Sequence, residues 1–293
     1  MSDVKTPTPA AQNMQEVLGL EQLDLNLFRS RANQVNSNHT LFGGQILGQG
    51  LQAAASTVQA ERQVHSLHGY FLLAGISDIP VIYDVELTRD GGSFSTRRVV
   101  ARQRARTIFH MELSFHRQEQ GLEHEMSLDV DVPDPGELLT TTELLSKYAG
   151  RLPPAAAAAP VGRNIVELKP VKPEELFLQR STSSRGLYWI RSATVLDDDP
   201  VTHLAALGYL SDYFLISTVL LAHMPSMVPR DVMLASLDHA MWFHRPCRAD
   251  EWLLVDAFSP FAGGARGFAR AQVFDSKRRL VASVAQEGLV RPI

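Results

Sequence analysis

Residues 43–58 read GGQILGQGLQAAASTV and contain no charged residue. The apolar and small residues in this stretch recur at the spacing of one helix face: Ile46, Leu47, Leu51, Ala54, Ala55 and Val58. Such a stretch, rich in alanine and free of charge, predicts a helix that is buried inside a protein core. The fold then depends on what surrounds this helix.

The chain after the helix is predicted to form an antiparallel sheet. Apolar and polar residues alternate in four segments, as in strands: 64–73, 80–89, 93–103 and 107–116. Asp90-Gly91-Gly92 lies between the second and third segments and predicts a hairpin, because glycine adopts the positive φ of such turns. Upstream, a short helix is predicted within residues 10–18, and Leu23, Leu25 and Leu27 alternate with polar residues like a half-buried strand.

The second half of the chain repeats this order. We predict a strand at 187–193, a buried helix at 202–221, and strands at 234–243, 251–258, 266–275 and 280–290. His239 corresponds to His68 and Gly264 to Gly92, and the two differences in residue number agree to within one position. An offset of about 171 residues over several elements indicates a tandem duplication.

Three segments follow from this pattern. Residues 1–120 are predicted to be the first repeat with a short lead-in, 121–160 a linker, and 161–293 the second repeat. Within the linker, residues 138–148 predict a helix, with Thr140 and Glu143 at capping-box spacing. Residues 153–160, PPAAAAAP, are typical of a connecting segment.

Composition excludes several classes of protein. The chain has 293 residues and a net charge of −4, which argues against an extended nucleic-acid surface. Its one cysteine, Cys247, excludes an intramolecular disulfide and a cysteine-based zinc site, and it fits a reducing compartment. We see neither a signal peptide nor an apolar run of about 20 residues, so we expect a cytoplasmic protein with no membrane span.

Common catalytic and ligand-binding motifs are absent. There is no Gly-x-Ser-x-Gly motif, and the glycines at 43–50 lack the lysine of a P-loop. His65 and His68, three residues apart on one predicted strand, should face opposite sides of the sheet. We therefore interpret them as structural rather than as metal ligands, and we expect neither a metal nor a cofactor.

One buried charge stands out. Asp212 lies in LGYLSDYFLI, residues 207–216, which is otherwise almost wholly apolar. A carboxylate in such surroundings must be solvated, paired or functional, since burying it unpaired costs several kcal/mol. Partial desolvation would raise its pKa and make it a better general base. A purely structural role, in which Asp212 ties its helix to a strand, is the competing interpretation.

The sequence resembles the acyl-CoA thioesterase II family, whose members have two fused hotdog folds. The resemblance covers residues 18–291, apart from the linker, and rests on several motifs in the family's order: FGGQ (42–45), HSLHGYFL (65–72), IYDVE (82–86), RDGGSFSTRRV (89–99), GYLSD (208–212), DHAMWFHRP (238–246), ARGF (265–268) and QEG (286–288). It implies an α+β fold of two tandem hotdog repeats, each a long antiparallel sheet wrapped around a central buried helix. It also implies a homo-oligomer, a dimer or a tetramer.

The resemblance also implies the site and the reaction. The family's catalytic residues fall on Asp212, Ser236 (often threonine in the family) and Gln286. Asp212 would take a proton from a water held by Ser236 and Gln286, and that water would attack the thioester of a fatty acyl-CoA without a covalent intermediate.

Further assignments rest on the same resemblance. Backbone amides near Gly43-Gly44 would stabilise the oxyanion. At the offset between the repeats, the first repeat has Leu41 in place of Asp212, so it would lack the base. Arg97 and Arg266 are candidates for CoA phosphates. The roles of His68 and of Asp238-His239 stay open.

Two other functions are weighed against hydrolysis. A hotdog enoyl-CoA hydratase would carry a histidine five residues after the aspartate, whereas this chain has Ser217. A non-catalytic acyl-CoA binding protein would bind the thioester without releasing thiol. Turnover separates an enzyme from a binding protein, and thiol release separates hydrolysis from hydration.

Overall fold

A computed structural model describes residues 8–34, 40–151, 165–178, 181, 183–223 and 231–293. The helices are α1 (Met14–Leu18), α2 (Gly43–Ala55), α3 (Thr141–Lys147), α4 (Pro173–Phe177) and α5 (Pro200–Ser211), with 3-10 turns at Pro135–Glu137 and Ile216–Leu220. The strands are β1 (Leu20–Asp24), β2 (Leu27–Ser30), β3 (Arg62–Phe71), β4 (Ile82–Asp90), β5 (Phe94–Gln103), β6 (Arg106–Arg117), β7 (Val166–Pro170), β8 (Arg185–Ser192), β9 (Val232–Ser236), β10 (Asp238–Phe243), β11 (Leu253–Gly263), β12 (Arg266–Phe274) and β13 (Leu280–Pro292).

The thirteen strands of the described residues belong to one antiparallel sheet. Twelve of them follow the order β1-β2-β4-β5-β6-β3-β10-β13-β12-β11-β8-β7, and β9 pairs with β13. This order is symmetric about its middle. From the middle outward, β3 corresponds to β10, β6 to β13, β5 to β12, β4 to β11, β2 to β8 and β1 to β7. The halves join at β3 and β10, where Gly69 lies opposite His239. The sheet therefore has the two-fold pattern that a tandem duplication predicts.

The two long helices, α2 and α5, lie side by side in the core. They run antiparallel: a Cβ on Gly48 would lie 2.8 Å from the carbonyl oxygen of Ala205, while Gln52, near the end of α2, contacts Thr202 near the start of α5. Glycine on α2 therefore permits the close approach of the helices. The segment Pro200–Leu220 is apolar enough in composition to cross a bilayer, but most of it is buried inside the protein.

Most predicted strands are confirmed to within a few residues, and the exceptions have local causes. The predicted strand 234–243 is two strands, because Leu237 interrupts it. Strand β7 was not predicted. The alternation at residues 23–27 marks a turn between β1 and β2 rather than a half-buried strand, and Leu25 is 81% exposed. The lead-in helix is shorter than predicted and begins at Met14.

The second buried helix ends ten residues earlier than predicted. Helix α5 stops at Ser211, and Phe214 has a φ of 55°, in the left-handed region that a helix cannot continue through. A 3-10 turn over Ile216–Leu220 replaces the rest of the predicted helix. Apolar periodicity alone contains no signal for this break, which is why the prediction of one helix over residues 202–221 was wrong.

The helices do not follow the offset of the strands. Helix α2 begins at Gly43 and α5 at Pro200, so the helices are closer together in the chain than corresponding strands such as β3 and β10 are. By helix position, the counterpart of Asp212 is Ser56, since each is the C-cap residue of its helix. The prediction of Leu41 as that counterpart was therefore wrong, because the chain between helix and sheet is longer in the second half.

Part of the predicted linker packs on the outer face of the sheet. Val132 joins a buried cluster with Trp189, Leu254 and Phe274, and the Trp189 indole donates to the carbonyl oxygen of Pro133 (3.0 Å). The predicted capping box is confirmed at the start of α3, where Thr140 and Glu143 bond reciprocally. Residues 153–160 lie outside the described residues, and the domain boundaries stay a prediction.

Candidate active site

Asp212 lies where the two central helices meet. It caps the carboxyl end of α5 and is 8% exposed. The amino terminus of α2 faces it, and the backbone N–H of Gly44 donates to its carboxylate. A Cβ on Gly43 would lie 2.6 Å from Asp212 Oδ2, so this approach requires glycine. The positive end of the α2 dipole thus faces a carboxylate inside the protein.

Two strands bring the other predicted residues to Asp212. Gln286 is fully buried on β13, and its Nε2 donates to Asp212 Oδ1 over 2.7 Å. Ser236 is the half-buried last residue of β9; its hydroxyl accepts from Gln286 Nε2 (3.0 Å) and lies 3.5 Å from Asp212 Oδ1. The structure therefore places all three predicted residues within hydrogen-bond distance of one another.

A break in the sheet places Ser236. Leu237 separates β9 from β10, and its backbone bonds to Glu287 on one side and Phe71 on the other. Asp238 fills the gap, since its carboxylate accepts the backbone N–H of Glu287 (2.6 Å). Asp238 therefore has a structural role beside the site.

Burial dominates the electrostatics of Asp212. Desolvation raises the pKa of its carboxyl group from 3.8 to about 6, against the hydrogen bonds from Gln286, Gly44 and Ser236, which lower it. A carboxyl group with a pKa near 6 is ionised at neutral pH and yet basic enough to take a proton from water. The position and the pKa together suit a general base.

His239 also belongs to this cluster, although the sequence left its role open. It is buried on β10, with Nδ1 3.3 Å from Gln286 Nε2 and Nε2 2.9 Å from Ser211 Oγ. Burial lowers the pKa of its imidazole to about 3, so the ring is neutral. The sequence showed a histidine on a strand, but its two polar partners come from elsewhere in the chain: Ser211 from α5 and Gln286 from the neighbouring strand β13.

The predicted correspondence between His68 and His239 is wrong, because the two side chains lie on opposite faces of the sheet. His68 pairs with Ala240, so it faces the opposite side of the sheet from His239. There its ring packs edge-on against Trp242, with centroids 5.1 Å apart. Among the described residues, no three His, Cys, Asp or Glu side chains form a metal-binding group.

The surroundings of Cys247, Arg97 and Arg266 determine what each of these side chains can do. Burial raises the pKa of the Cys247 thiol to about 12, so it is not a nucleophile at neutral pH. Arg97 is buried, and each of its five N–H groups faces an acceptor, which excludes it as a ligand for CoA phosphates. Arg266 is half exposed and paired with Glu287 (3.0 Å), the neighbour of Gln286.

A mostly apolar cavity of about 330 Å³ lies next to the segment that follows Asp212. Phe214 and Tyr188 line it, and Tyr188 donates to the carbonyl oxygen of Tyr213 (2.7 Å). Leu168, Leu187 and Leu221 form more of the wall, and Ser183 lies exposed at the edge. The volume is within the range of small-molecule sites.

Comparisons with known proteins identify the class. Residues 32–116 match the family described as the acyl-CoA thioesterase N-terminal domain, and residues 133–290 match the acyl-CoA thioesterase C-terminal domain. Human acyl-coenzyme A thioesterase 8 is 39% identical over 94% of this chain and 88% of its own length. Acyl-CoA thioesterase 2 of Haemophilus influenzae is 32% identical over 95% of this chain and 97% of its own.

Solved structures agree with the sequence comparisons. The acyl-CoA thioesterase II TesB2 from Mycobacterium marinum superposes with a TM-score of 0.77 at 38% identity, covering 96% of this chain and 98% of that one. The fold is thus a tandem hotdog of the thioesterase type, as the resemblance predicted. The chain belongs to the acyl-CoA thioesterase family, and it is an acyl-CoA thioesterase.

Proposed function

We propose that this enzyme hydrolyses fatty acyl-CoA to the free fatty acid and CoA through a water activated by Asp212, Ser236 and Gln286. The observation that carries the proposal is the buried carboxylate of Asp212, which has a pKa of about 6 and bonds to the amide of Gln286. Gln286 Oε1 has no hydrogen-bond partner among the described residues, although its side chain is fully buried. A water that donates one hydrogen to Asp212 and the other to this oxygen would turn a lone pair toward the thioester carbonyl.

Protons balance in this reaction. Asp212 takes one proton as the water oxygen bonds to the carbonyl carbon, and a tetrahedral oxyanion forms. Since Gly44 N–H is bonded to Asp212, we assign the oxyanion to the neighbouring N–H of Gly43 at the start of α2. When the C–S bond breaks, protonated Asp212 gives its proton to the CoA sulfur. The second hydrogen of the water stays with the fatty acid.

Direct attack by water also fits the surroundings of Ser236, whose hydroxyl makes only a long contact of 3.5 Å with the carboxylate of Asp212. A serine nucleophile needs a base on its hydroxyl. His239 faces Gln286 and Ser211 instead of Ser236, and its low pKa makes it a poor base. No covalent intermediate is therefore part of the proposal.

The cavity beside Phe214 is our proposed site for the acyl chain. Most of its exposed lining is apolar, as an alkyl chain requires, although Asp131, Lys172, Glu175 and Arg185 also border it. Phe214 is two residues from the catalytic carboxylate. Arg266 stays a candidate for a contact with CoA, because it lies half exposed beside Glu287.

The remaining proposals concern the oligomeric state, the location and the metabolic role of the protein. We propose a homo-oligomer, a dimer or a tetramer, because Tyr70 (56% exposed) and Trp242 (37%) lie on the outer face of the central strands β3 and β10. Light scattering on the wild type and on Trp242→Glu tests this. A cytoplasmic location and a role in fatty acid metabolism also stay predictions.

Thiol release tests the function directly. We would measure CoA release from acetyl-, octanoyl- and palmitoyl-CoA with the wild type and with Asp212→Asn. Removal of a general base should lower the rate at least ~100-fold. Binding of acyl-CoA without any thiol release would instead indicate a binding protein, and full activity of Asp212→Asn would exclude this site.

A further inference from the structure

The amide of Gln286 has more acceptors around its nitrogen than it has hydrogens. Nε2 lies 2.7 Å from Asp212 Oδ1, 3.0 Å from Ser236 Oγ and 3.3 Å from His239 Nδ1. Because Nε2 faces these three atoms, Oε1 points away from them, and there it has no partner among the described residues. A flip of the amide, which exchanges its nitrogen and its oxygen, would remove the acceptor that the proposed mechanism needs for its water.

The hydrogen bonds of His239 determine which of its nitrogens carries the proton. The hydroxyl of Ser211 donates to the carbonyl oxygen of Gly208 (2.8 Å), so it can only accept from His239 Nε2. The ring is buried and neutral, hence Nδ1 has a lone pair and no hydrogen. Nδ1 is therefore an acceptor that faces the amide of Gln286.

The hydroxyl of Ser236 can donate as well as accept, so it does not oppose a flip. Asp212 and His239 hold the amide as acceptors, but they differ during turnover. Ionised Asp212 repels Oε1 and keeps Nε2 on its side. Once Asp212 has taken the proton from water, its new hydroxyl can donate to Oε1 of a flipped amide. That bond would hold the proton that the leaving sulfur needs. The lone pair on His239 Nδ1 does not change during the cycle and opposes the flip throughout.

We propose that His239, held by Ser211, is a positioning residue that keeps the Gln286 amide in its productive orientation while Asp212 is protonated. This inference rests on the proposed function, because it assigns Gln286 Oε1 to the attacking water. His239 acts through Gln286 and touches no reacting atom. Loss of its Nδ1 acceptor should lower kcat more than it changes KM for the acyl-CoA.

Two substitutions test the roles of the two ring nitrogens of His239 separately. His239→Asn keeps an acceptor near the position of Nδ1, whereas His239→Gln keeps a group that reaches Ser211 and loses that acceptor. His239→Phe keeps the ring and loses both. His68→Phe, on the opposite face of the sheet, is the matched control. For each full-length variant we would measure the melting temperature, kcat and KM with octanoyl-CoA, and the pH dependence of kcat.

We expect His239→Gln and His239→Phe to lose about 10- to 100-fold in kcat. The half-maximal pH of the rate should also rise in both, because a flipped amide stabilises protonated Asp212. His239→Asn and His68→Phe should stay within a few-fold of the wild type. If His239→Phe does not fold, the Asn and Gln variants still decide the matter.

Other results would overturn the inference. Retention of kcat in His239→Gln with loss in His239→Asn would make His239 a structural tie to Ser211. Equal activity or equal loss in these two variants would also contradict it. A wild type that releases no thiol from any acyl-CoA would instead refute the proposed function, and that result is distinct because it appears before any substitution.

Discussion

The ionisation of one carboxyl group, that of Asp212, should control the rate of hydrolysis. With a pKa of about 6, Asp212 gains its basic form as the pH rises through that value. We expect kcat to increase from about pH 5 to about pH 7 and then to level off, with its midpoint near 6. The measurement is kcat at saturating octanoyl-CoA across this range in constant ionic strength. A flat profile would exclude Asp212 as the base.

The same carboxyl group should weaken the fold. Its pKa is 3.8 in ordinary surroundings and about 6 in the folded protein, so ionisation disfavours the folded state. The cost is complete above about pH 6 and vanishes below about pH 4, where the group is protonated in both states. Asp212→Asn should therefore stabilise the protein by about 1–3 kcal/mol at pH 8. Thermal unfolding at pH 8 and near pH 4 tests this, and a gain that does not shrink at low pH would contradict it.

Close packing of glycine against Asp212 gives a third prediction. In Gly43→Ala the new Cβ would lie 2.6 Å from Asp212 Oδ2, so the carboxylate must move. A displacement of this kind can cost up to about 100-fold in rate. Gly92→Ala is the matched control, because no atom lies within 4 Å of its added Cβ. Equal kcat in both variants would show that the approach of α2 has no catalytic role.

How much of the site the sequence could predict depends on the residue. Asp212 was recognisable as a charge in an apolar run, whereas Ser236 and Gln286 were assigned through resemblance to a family. An amide and a hydroxyl on strands are common, and only the pairing of β9 with β13 brings them together. His239 could not be placed, because its partners, Ser211 on α5 and Gln286 on β13, are both distant in sequence.

The strands and helices also differ in how far the sequence could predict them. Strands and hairpins followed from alternation and from glycine pairs, since these signals are local. The end of α5 did not, because the left-handed residue there is Phe214, and an aromatic residue in that conformation is rare. Such a conformation persists only where its surroundings hold it. Phe214 packs edge-on against Tyr188 and Tyr213, so the break that presents Asp212 also forms a wall of the cavity.

The cavity should therefore determine which acyl chains react. Ser183 is exposed at its edge, so Ser183→Trp should obstruct the opening with little effect on the core. We expect kcat/KM to fall about 10-fold or more for palmitoyl-CoA and little for acetyl-CoA, because only the long chain needs the cavity. Ser183→Ala is the control. A uniform decrease for all chain lengths would place the acyl chain elsewhere.

At the scale of the whole molecule, the duplication leaves one complete site among the described residues. By helix position Ser56 takes the place of Asp212, and the strand offset aligns Gln286 with Phe115 and Ser236 with His65. The facing helix terminus differs as well. Helix α5 begins with Pro200, which has no N–H, and the N–H of Val201 is bonded to Asp199 (3.1 Å).

This asymmetry predicts that the first half cannot be activated by a single substitution. In Asp212→Asn/Ser56→Asp, the new carboxylate would lack the amide, the hydroxyl and the helix N–H that surround Asp212. Ser56 is exposed, so the new carboxyl group would also lack the desolvation that raises the pKa of Asp212. We expect no recovery of thiol release above that of Asp212→Asn alone. Recovery of even about a tenth of the wild-type rate would show that the surroundings of Asp212 matter less than the carboxylate itself.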